Sequence, residues 1–298
     1  MIRFAIDYRY NYSRGPMASA SSAGGRSGSR SRAARPVRAD SSDPLFNQSV
    51  QKAFAILEAF TGERRAMSLA DIAVAAGMTK SSAQRCIHTL CQLGYLRRGA
   101  GERGWALAPR CLNFAHSYLS VYSLIEQATT HLVDLNQACG ESVSLAEPDG
   151  AEMVYVARFP SHKRFFIHMP IGRRLPMYCT ASGRAYLSAL PAAEAQRILR
   201  GSTLRAMTPM SLTDSRRIWE RIEQAAAVGY AWTDQEMYRG DVTIAAPIIG
   251  SEGRPVGAVN LSAPTSRWTL DELRNKLSSI LIETARAASS GISAHPRR

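Results

Sequence analysis

Residues 68–96 read SLADIAVAAGMTKSSAQRCIHTLCQLGYL, and this stretch decides the fold of the first part of the chain. Ser68, with Asp71 three residues on, makes a capping-box start in which Asp stands in for the better Glu. Leu69, Ile72, Ala73 and Ala76 space out the apolar stripe of a short helix, and Gly77 suits its exit. Thr79 is placed to cap a further helix that runs to about Leu90 or Cys91 before Gly94 ends it. Two short helices joined by a tight turn containing Gly are the helix-turn-helix layout.

The second of these helices has two unlike faces. At about 100° per residue, Cys86, Ile87 and Leu90 fall within roughly 60° of Ala83, whereas Ser81, Gln84, Arg85 and His88 lie between about 100° and 200° from it. A polar helix face is ordinarily just solvated. Here, however, no Asp or Glu occurs anywhere in residues 78–98. Arg can bond guanine and Gln adenine in bidentate fashion, so an acid-free face carrying both suits a polyanion. Thr79, Lys80, Ser81 and Ser82, at the helix N-terminus, suit phosphate contacts. Residues 95–98 and 105–107 then flank the turn-rich GAGERG at 99–104, which predicts a β-hairpin with a basic tip. Arg97, Arg98 and Arg103 would lie beside the nucleic-acid backbone or in the minor groove. Helix, turn, helix and basic wing in that order are far more specific than any one part.

Working outward, Val50, Ala53, Phe54, Leu57 and Phe60 predict a preceding helix with Ser49 as its cap. Residues 1–45 form a tail rich in Ser, Arg and Gly, with too few large apolar side chains to offset ordering entropy; disorder is expected there. An inert tail, with Met17 as an alternative start, is favoured over a non-specific phosphate anchor. The net charge of +13 is uneven: residues 1–43 carry +5, residues 44–111 another +5, and residues 112–298 only +3. A basic end on a near-neutral body fits a phosphate-binding module joined to something else.

That second part alternates helix and strand patterns. A linker helix is expected over 111–124, then an α+β domain over 125–290 and a flexible end at 291–298. Strands are predicted at 142–147, 153–159, 164–171, 242–249 and 255–261. Helices are predicted at 125–139, 182–190, 192–200, 213–228 with Thr213 as cap, and 269–288. An antiparallel sheet with packed helices is the natural assembly. Five cysteines, an odd number with no C-x-x-C pair, and six scattered histidines give no metal or disulfide spacing, so no metal or cofactor is expected. No run approaches the roughly 18 apolar residues of a membrane span. The first twelve residues contain no apolar signal region, and a cytoplasmic location is expected.

Taken together, the chain resembles the IclR family of bacterial transcription regulators over residues 46–288. The resemblance is carried by the 68–96 segment, GESVSLAEPDGAEMVYVAR, IGRRLPMYCTASGRAYLSAL, GYAWTDQEMYRGDVTIAAPI and GAVNLSAPTSR. It implies a winged helix-turn-helix over 46–110 that binds a near-palindromic double-stranded operator as a homodimer or dimer of dimers. It also implies a GAF-like C-terminal domain that takes a small organic acid effector. By the same resemblance, Thr180, Ala181, Ser182 and Gly183 would hold a carboxylate, with Ile167, Leu175 and Met177 on the apolar side. Asp234, Glu236, Thr243, Asn260 and Ser262 would complete the polar wall. MYCTASGRA looks closer to the subgroup controlling aromatic-acid catabolism than to the glyoxylate-type regulators. The chain departs from the family in its long tail and in Cys86, where Leu is usual.

Two rival classes are weaker. In an enzyme reading Cys179 would serve as nucleophile, but no His lies near it in the motif, and G-x-S-x-G, P-loop and H-E-x-x-H patterns are missing. A ligand-independent architectural DNA binder would not need some 170 near-neutral residues.

Overall fold

The computed structural model describes residues 43–61, 64, 66–99, 104–121, 123–163 and 169–289. The tail up to residue 42, the wing-tip Arg103, Ile167, residues 164–168 of an expected strand, and the end from 290 lie outside the described residues. The chain divides into two compact units. One holds the described residues up to Thr89 together with those of Arg98–Ala106; the other holds Leu90–Arg97 and those from Leu107 on.

The first unit begins with α1 (Gln48–Glu58), capped by Asn47 rather than Ser49. Asn47 Oδ1 accepts from the N–H groups of Ser49 and Val50 at 2.9 and 3.3 Å, which puts Ser49 inside the helix. Helix α2 (Leu69–Ala75) opens on the expected capping box: Ser68 Oγ accepts from Asp71 N–H, and the Asp71 carboxylate accepts from Ser68 N–H. These hydrogen bonds favour the ionised form and hold the Asp71 carboxyl below its ordinary range. Gly77, at φ +64°, makes the left-handed turn into α3 (Lys80–Gln92), and Met78 N–H reaches back to Ala73 O at 2.9 Å. Strands β1 (Leu96–Arg98) and β2 (Trp105–Leu107) form the hairpin, and Met67 exchanges two backbone hydrogen bonds with Trp105, extending the wing beyond its two strands.

From Leu107 on, the second unit continues with α4 (Leu112–Val121) and α5 (Ser123–Cys139). There follow β3 (Ser142–Asp149), β4 (Glu152–Phe159) and β5 (Arg174–Pro176). Next come α6 (Ala181–Ser188), α7 (Ala192–Gly201) and α8 (Ser215–Val228). Strands β6 (Ala231–Asp234), β7 (Asp241–Ile249), β8 (Pro255–Pro264) and helix α9 (Leu270–Ser289) complete it. The six strands make one antiparallel sheet in the order β5-β4-β3-β8-β7-β6. Because strand side chains alternate, its faces differ. Val143, Leu145, Val242, Ile244, Val259 and Leu261 belong to the apolar core that includes residues of α5 and α9. Ala146, Met153, Tyr155, Ala245 and Ala258 belong to the core on the other side, with residues of α6 and α8.

Two further expectations need correction, and one strand had no counterpart among them. The edge strand of the described sheet is Arg174–Pro176; of the expected 164–171, residues 164–168 lie outside the described residues, Met169 and Pro170 are irregular, and Ile171 is exposed in a turn. Helix α8 is capped by Asp214, whose Oδ1 accepts from Arg217 N–H at 2.8 Å, not by Thr213. Strand β6 was not anticipated, because four residues carry too little periodicity to register.

Helix α6 lies unusually close to the 3-10 turn Met177–Cys179. A Cβ on Gly183 would fall 2.2 Å from Met177 Cα and 2.4 Å from its carbonyl oxygen. Backbone cannot yield as a flexible side chain can. Gly183→Ala should therefore cost roughly 2–3 kcal/mol, as overpacking does, read as a lowered midpoint in urea denaturation at unchanged m-value.

Candidate functional site

On α3 the predicted segregation of faces is seen directly. Ala83, Ile87 and Leu90 are buried, whereas Lys80, Ser81, Gln84, Arg85 and His88 are exposed. Ser82 is half-buried, and its N–H donates to Thr79 Oγ1 at 3.3 Å. Thr79 therefore caps the helix, with its hydroxyl 3.2 Å from Ser81 Oγ. Arg97 and Arg98 are exposed on β1, and the Arg98 guanidinium lies 4.6 Å above the Trp105 ring, a cation–π contact that fixes it to the wing.

The second unit contains a cleft at one end of its central strands. It is small, with about 30 Å³ of internal space, room for about one water. Register explains its polar lining. Ser142 on β3 is paired with Ser262 on β8, which is paired with Thr243 on β7. One step further along, Arg158, Ser144 and Asn260 are neighbours across β4, β3 and β8. Arg158, Ser142, Ser262, Met169, Tyr238 and Asp241 line the opening. The Ser262 and Thr243 hydroxyls donate to the two Asp241 carboxylate oxygens at 2.8 and 2.9 Å. Arg158 Nη2 lies 3.5 Å from Ser142 Oγ, and Tyr155 OH lies 3.5 Å from Ser182 Oγ on α6.

Burial governs the ionisation here. It pushes Asp241 up to about 6 against the hydrogen bonds from Ser262 and Thr243 and the charge of Arg158. It likewise raises Tyr155 to about 12 and lowers Arg158. Glu141, at the rim, is lowered: burial pushes its carboxyl up, but hydrogen bonds from Arg267, Trp268 and Lys163 outweigh it. The rim carboxylate is thus neutralised in place.

Of the residues expected to form the wall, Ser182, Thr243, Asn260 and Ser262 converge on this sheet face. Others are engaged elsewhere. Thr180 caps α6, donating to Pro176 O at 2.8 Å and accepting from Gly183 N–H. Leu175, Met177 and Ala181 are buried in the apolar core on this side of the sheet, and Gly183 serves the close packing on Met177. Asp234 is paired with Val242, and strand alternation sends it to the face opposite Thr243. Glu236 is clamped by the fully buried Arg184 through two 2.6 Å hydrogen bonds and also accepts from Leu212 N–H. Cys179 is buried, and burial pushes its thiol up to about 12, the reverse of an activated nucleophile. Sequence reading missed Tyr155, Arg158, Asp241 and Tyr238. All four sat within quoted motifs, but Arg158 and Asp241 come together only through strand pairing.

A basic-faced winged helix-turn-helix followed by a separate sheet-and-helix domain defines the class of DNA-binding transcription regulators. Residues 49–100 match the IclR helix-turn-helix domain, and residues 116–290 match the domain described as bacterial transcriptional regulator IclR C-terminal. The chain belongs to the IclR family of transcriptional regulators. It is 31% identical to the Pca regulon regulatory protein of Pseudomonas putida, over 85% of this chain and 87% of that one. An IclR family transcriptional regulator from Brucella abortus superposes with a TM-score of 0.72 at 25% identity, covering 84% of this chain and 95% of its own. An IclR homologue from Microbacterium hydrocarbonoxydans, solved with 4-hydroxybenzoate, shares the fold at a TM-score of 0.68 and 23% identity, over 81% and 98% of the two chains.

Because the Asp241 carboxyl titrates higher when folded, the native state retains a proton there that the unfolded chain has already lost. Stability from this group is complete below about pH 4, falls as pH rises towards about 6, and stays low above it. Asp241→Asn should raise stability at pH 7.5 by about 2–3 kcal/mol, read as a higher melting temperature. The gain should shrink towards zero near pH 4 in a melting series across that range.

Proposed function

We propose that the chain is an effector-controlled regulator in which α3 reads base edges and the cleft in the C-terminal unit receives a small organic acid. The exposed, acid-free face of α3 carries the first half of this reading. Gln84, Arg85 and His88 contact base edges in the major groove. Thr79, Lys80, Ser81 and Ser82 approach phosphates at the helix N-terminus, and Arg97, Arg98 and Arg103 flank the duplex. The functional division is residues 46–110 for DNA, 111–124 as linker helix and 125–290 for effector. A near-palindromic operator is met by a homodimer or dimer of dimers, which matches two half-sites to two copies of the helix. A regulator acting on the chromosome works in the cytoplasm. No helix among the described residues is long and apolar enough to cross a membrane.

Arg158 supports the second half. It supplies positive charge beside the hydroxyls of Ser142, Ser262 and Thr243, while Glu141 is already paired with Arg267 and Lys163. Such a wall favours an anion over a cation. Ser182, Thr243, Asn260 and Ser262 provide its polar contacts. Leu175, Met177, Ala181 and Gly183 support it from the core, and Thr180 fixes the start of α6. Of the rest of the set assigned by family resemblance, Ile167 stays with the apolar side, whereas Asp234, on the opposite face, and Glu236, held by Arg184, are not part of this wall. The 4-hydroxybenzoate complex of the Microbacterium homologue and the regulon name of the Pseudomonas relative support an aromatic acid.

Arg85→Ala and Gln84→Ala should each reduce discrimination between a selected duplex and one altered at a single half-site position by roughly 1–3 kcal/mol, measured by fluorescence anisotropy. Equal losses on selected and random duplexes would identify phosphate contacts instead. Arg158→Gln should remove the calorimetric binding signal for benzoate while leaving duplex affinity in the absence of acid unchanged. Retained benzoate binding would place the acid elsewhere.

A further inference from the structure

The wing presents a guanidinium on an aromatic platform. Arg98, exposed on β1, holds its guanidinium carbon 4.6 Å from the centre of the Trp105 ring on β2. Trp105 is half-buried and held from both sides. Its backbone exchanges hydrogen bonds with Met67 at 2.9 and 3.0 Å on one side, while β2 pairs with β1 on the other. Gly104, just before it, lets the Met67 backbone come close: a Cβ there would fall 2.8 Å from Met67 O. Trp105 is therefore the middle rung of a three-rung ladder, and its ring has a fixed place.

A free Arg side chain surrenders much rotamer entropy when it binds. Stacking on a ring removes part of that loss beforehand. It also consumes no hydrogen-bond donor, because the ring attracts the face of the guanidinium and leaves the N–H groups pointing outward in its plane. Among the described residues no carboxylate pairs with Arg98. A planar fork of free donors at one place suits a phosphate, which it can bond through two parallel N–H groups. A guanidinium drawn back over its own hairpin also has less reach than an extended one, so a backbone phosphate suits it better than the floor of a minor groove.

We propose that Trp105 is a positioning residue for DNA binding: it holds the Arg98 guanidinium in place for a backbone phosphate before the duplex arrives. This rests on the reading of the first unit as the DNA-binding module. Phosphate contacts carry no sequence information, so the pair sets affinity and the seating of the wing, not the choice of bases.

The test titrates the full chain against a selected and a random duplex by fluorescence anisotropy over a series of salt concentrations. Arg98→Ala should weaken both duplexes by the same factor and reduce the slope of log affinity against log salt by about one for each wing engaged. Trp105→Ile keeps an apolar, strand-forming side chain but removes the ring. It should weaken both duplexes roughly two- to fivefold for each wing engaged, at unchanged slope. Trp105→Phe restores a ring and should stay within roughly twofold of wild type. With Arg98→Ala already in place, Trp105→Ile should have no further effect. That last readout separates positioning from mere support, since a loosened wing would weaken binding whether or not Arg98 is present. Arg98→Lys leaves the packing of Trp105 intact and keeps the charge without the fork, so it too should lose affinity at unchanged slope, and it decides the matter even where Trp105→Ile does not fold. A Trp105→Ile effect that persists without Arg98, or wild-type affinity in Trp105→Ile or Arg98→Lys, overturns the positioning role. Unchanged affinity and slope in Arg98→Ala overturn the phosphate contact and leave base reading by α3 standing. Failure of the folded protein to bind either duplex overturns the reading of the first unit as well.

Discussion

The backbone contact of α6 on the Met177–Cys179 turn is the constraint on which the C-terminal unit depends. No side chain fits at Gly183, so the helix is held at one distance from the turn below it. Arg184, the next residue, uses that proximity: its Nε donates to Tyr178 O and its two terminal nitrogens engage Glu236. Removing either ion would strand its partner in the interior, a loss far larger than the pair's net contribution to stability. The segment after β6 is thereby tied to α6, with Thr208 and Ser211 donating to backbone carbonyls of that segment. Ser182, on the same helix, is set opposite Tyr155 on the sheet.

Once α6 is placed, the two faces of the sheet serve different ends. The face towards α5 and α9 is filled with aliphatic side chains and supplies stability. The other carries Ser142, Ser144, Arg158, Asp241, Thr243, Asn260 and Ser262 close together, and each of these would be more cheaply replaced by an apolar residue if packing alone mattered. Asp241 states the conflict most clearly: it is held by two hydroxyls and yet raised to about 6 by burial. Gathering polar groups on one face inside a folded domain makes sense where another molecule meets them. A ligand that binds there alters the chain's behaviour only to the extent that it prefers one conformation over another, so the contacts it makes with these groups set the size of any response.

The DNA-binding unit follows a simpler logic. Its helices are short, and propensity alone would not hold them. Side-chain caps at Asn47, Ser68 and Thr79, the left-handed glycine between α2 and α3, and one buried stripe on α3 fix where each begins and how it faces. With Ala83, Ile87 and Leu90 turned inward, Gln84, Arg85 and His88 have nowhere to point but out. The exposed basic face is thus a by-product of how the stripe is buried.

That relation made the first unit legible in the sequence. Helical periodicity and capping are local, so residues 68–96 alone determined two helices, their turn and the exposed basic face, and strand alternation further on determined an antiparallel sheet with helices. The cleft is a different matter. Ser142 and Arg158 both stand more than a hundred positions from Ser262, and they meet only because β3 pairs with β4 on one side and β8 on the other in one register. Shifting that register by one residue would send each of these side chains to the aliphatic face. Asp234 and Glu236 show the converse, since they belong to the same quoted motif as Thr243 and yet one faces the opposite side of the sheet and the other is taken by Arg184. The sequence determined which groups were present and which local elements carry them; pairing register and the seating of α6 decided which of them share a site, because those are set by contacts between distant segments.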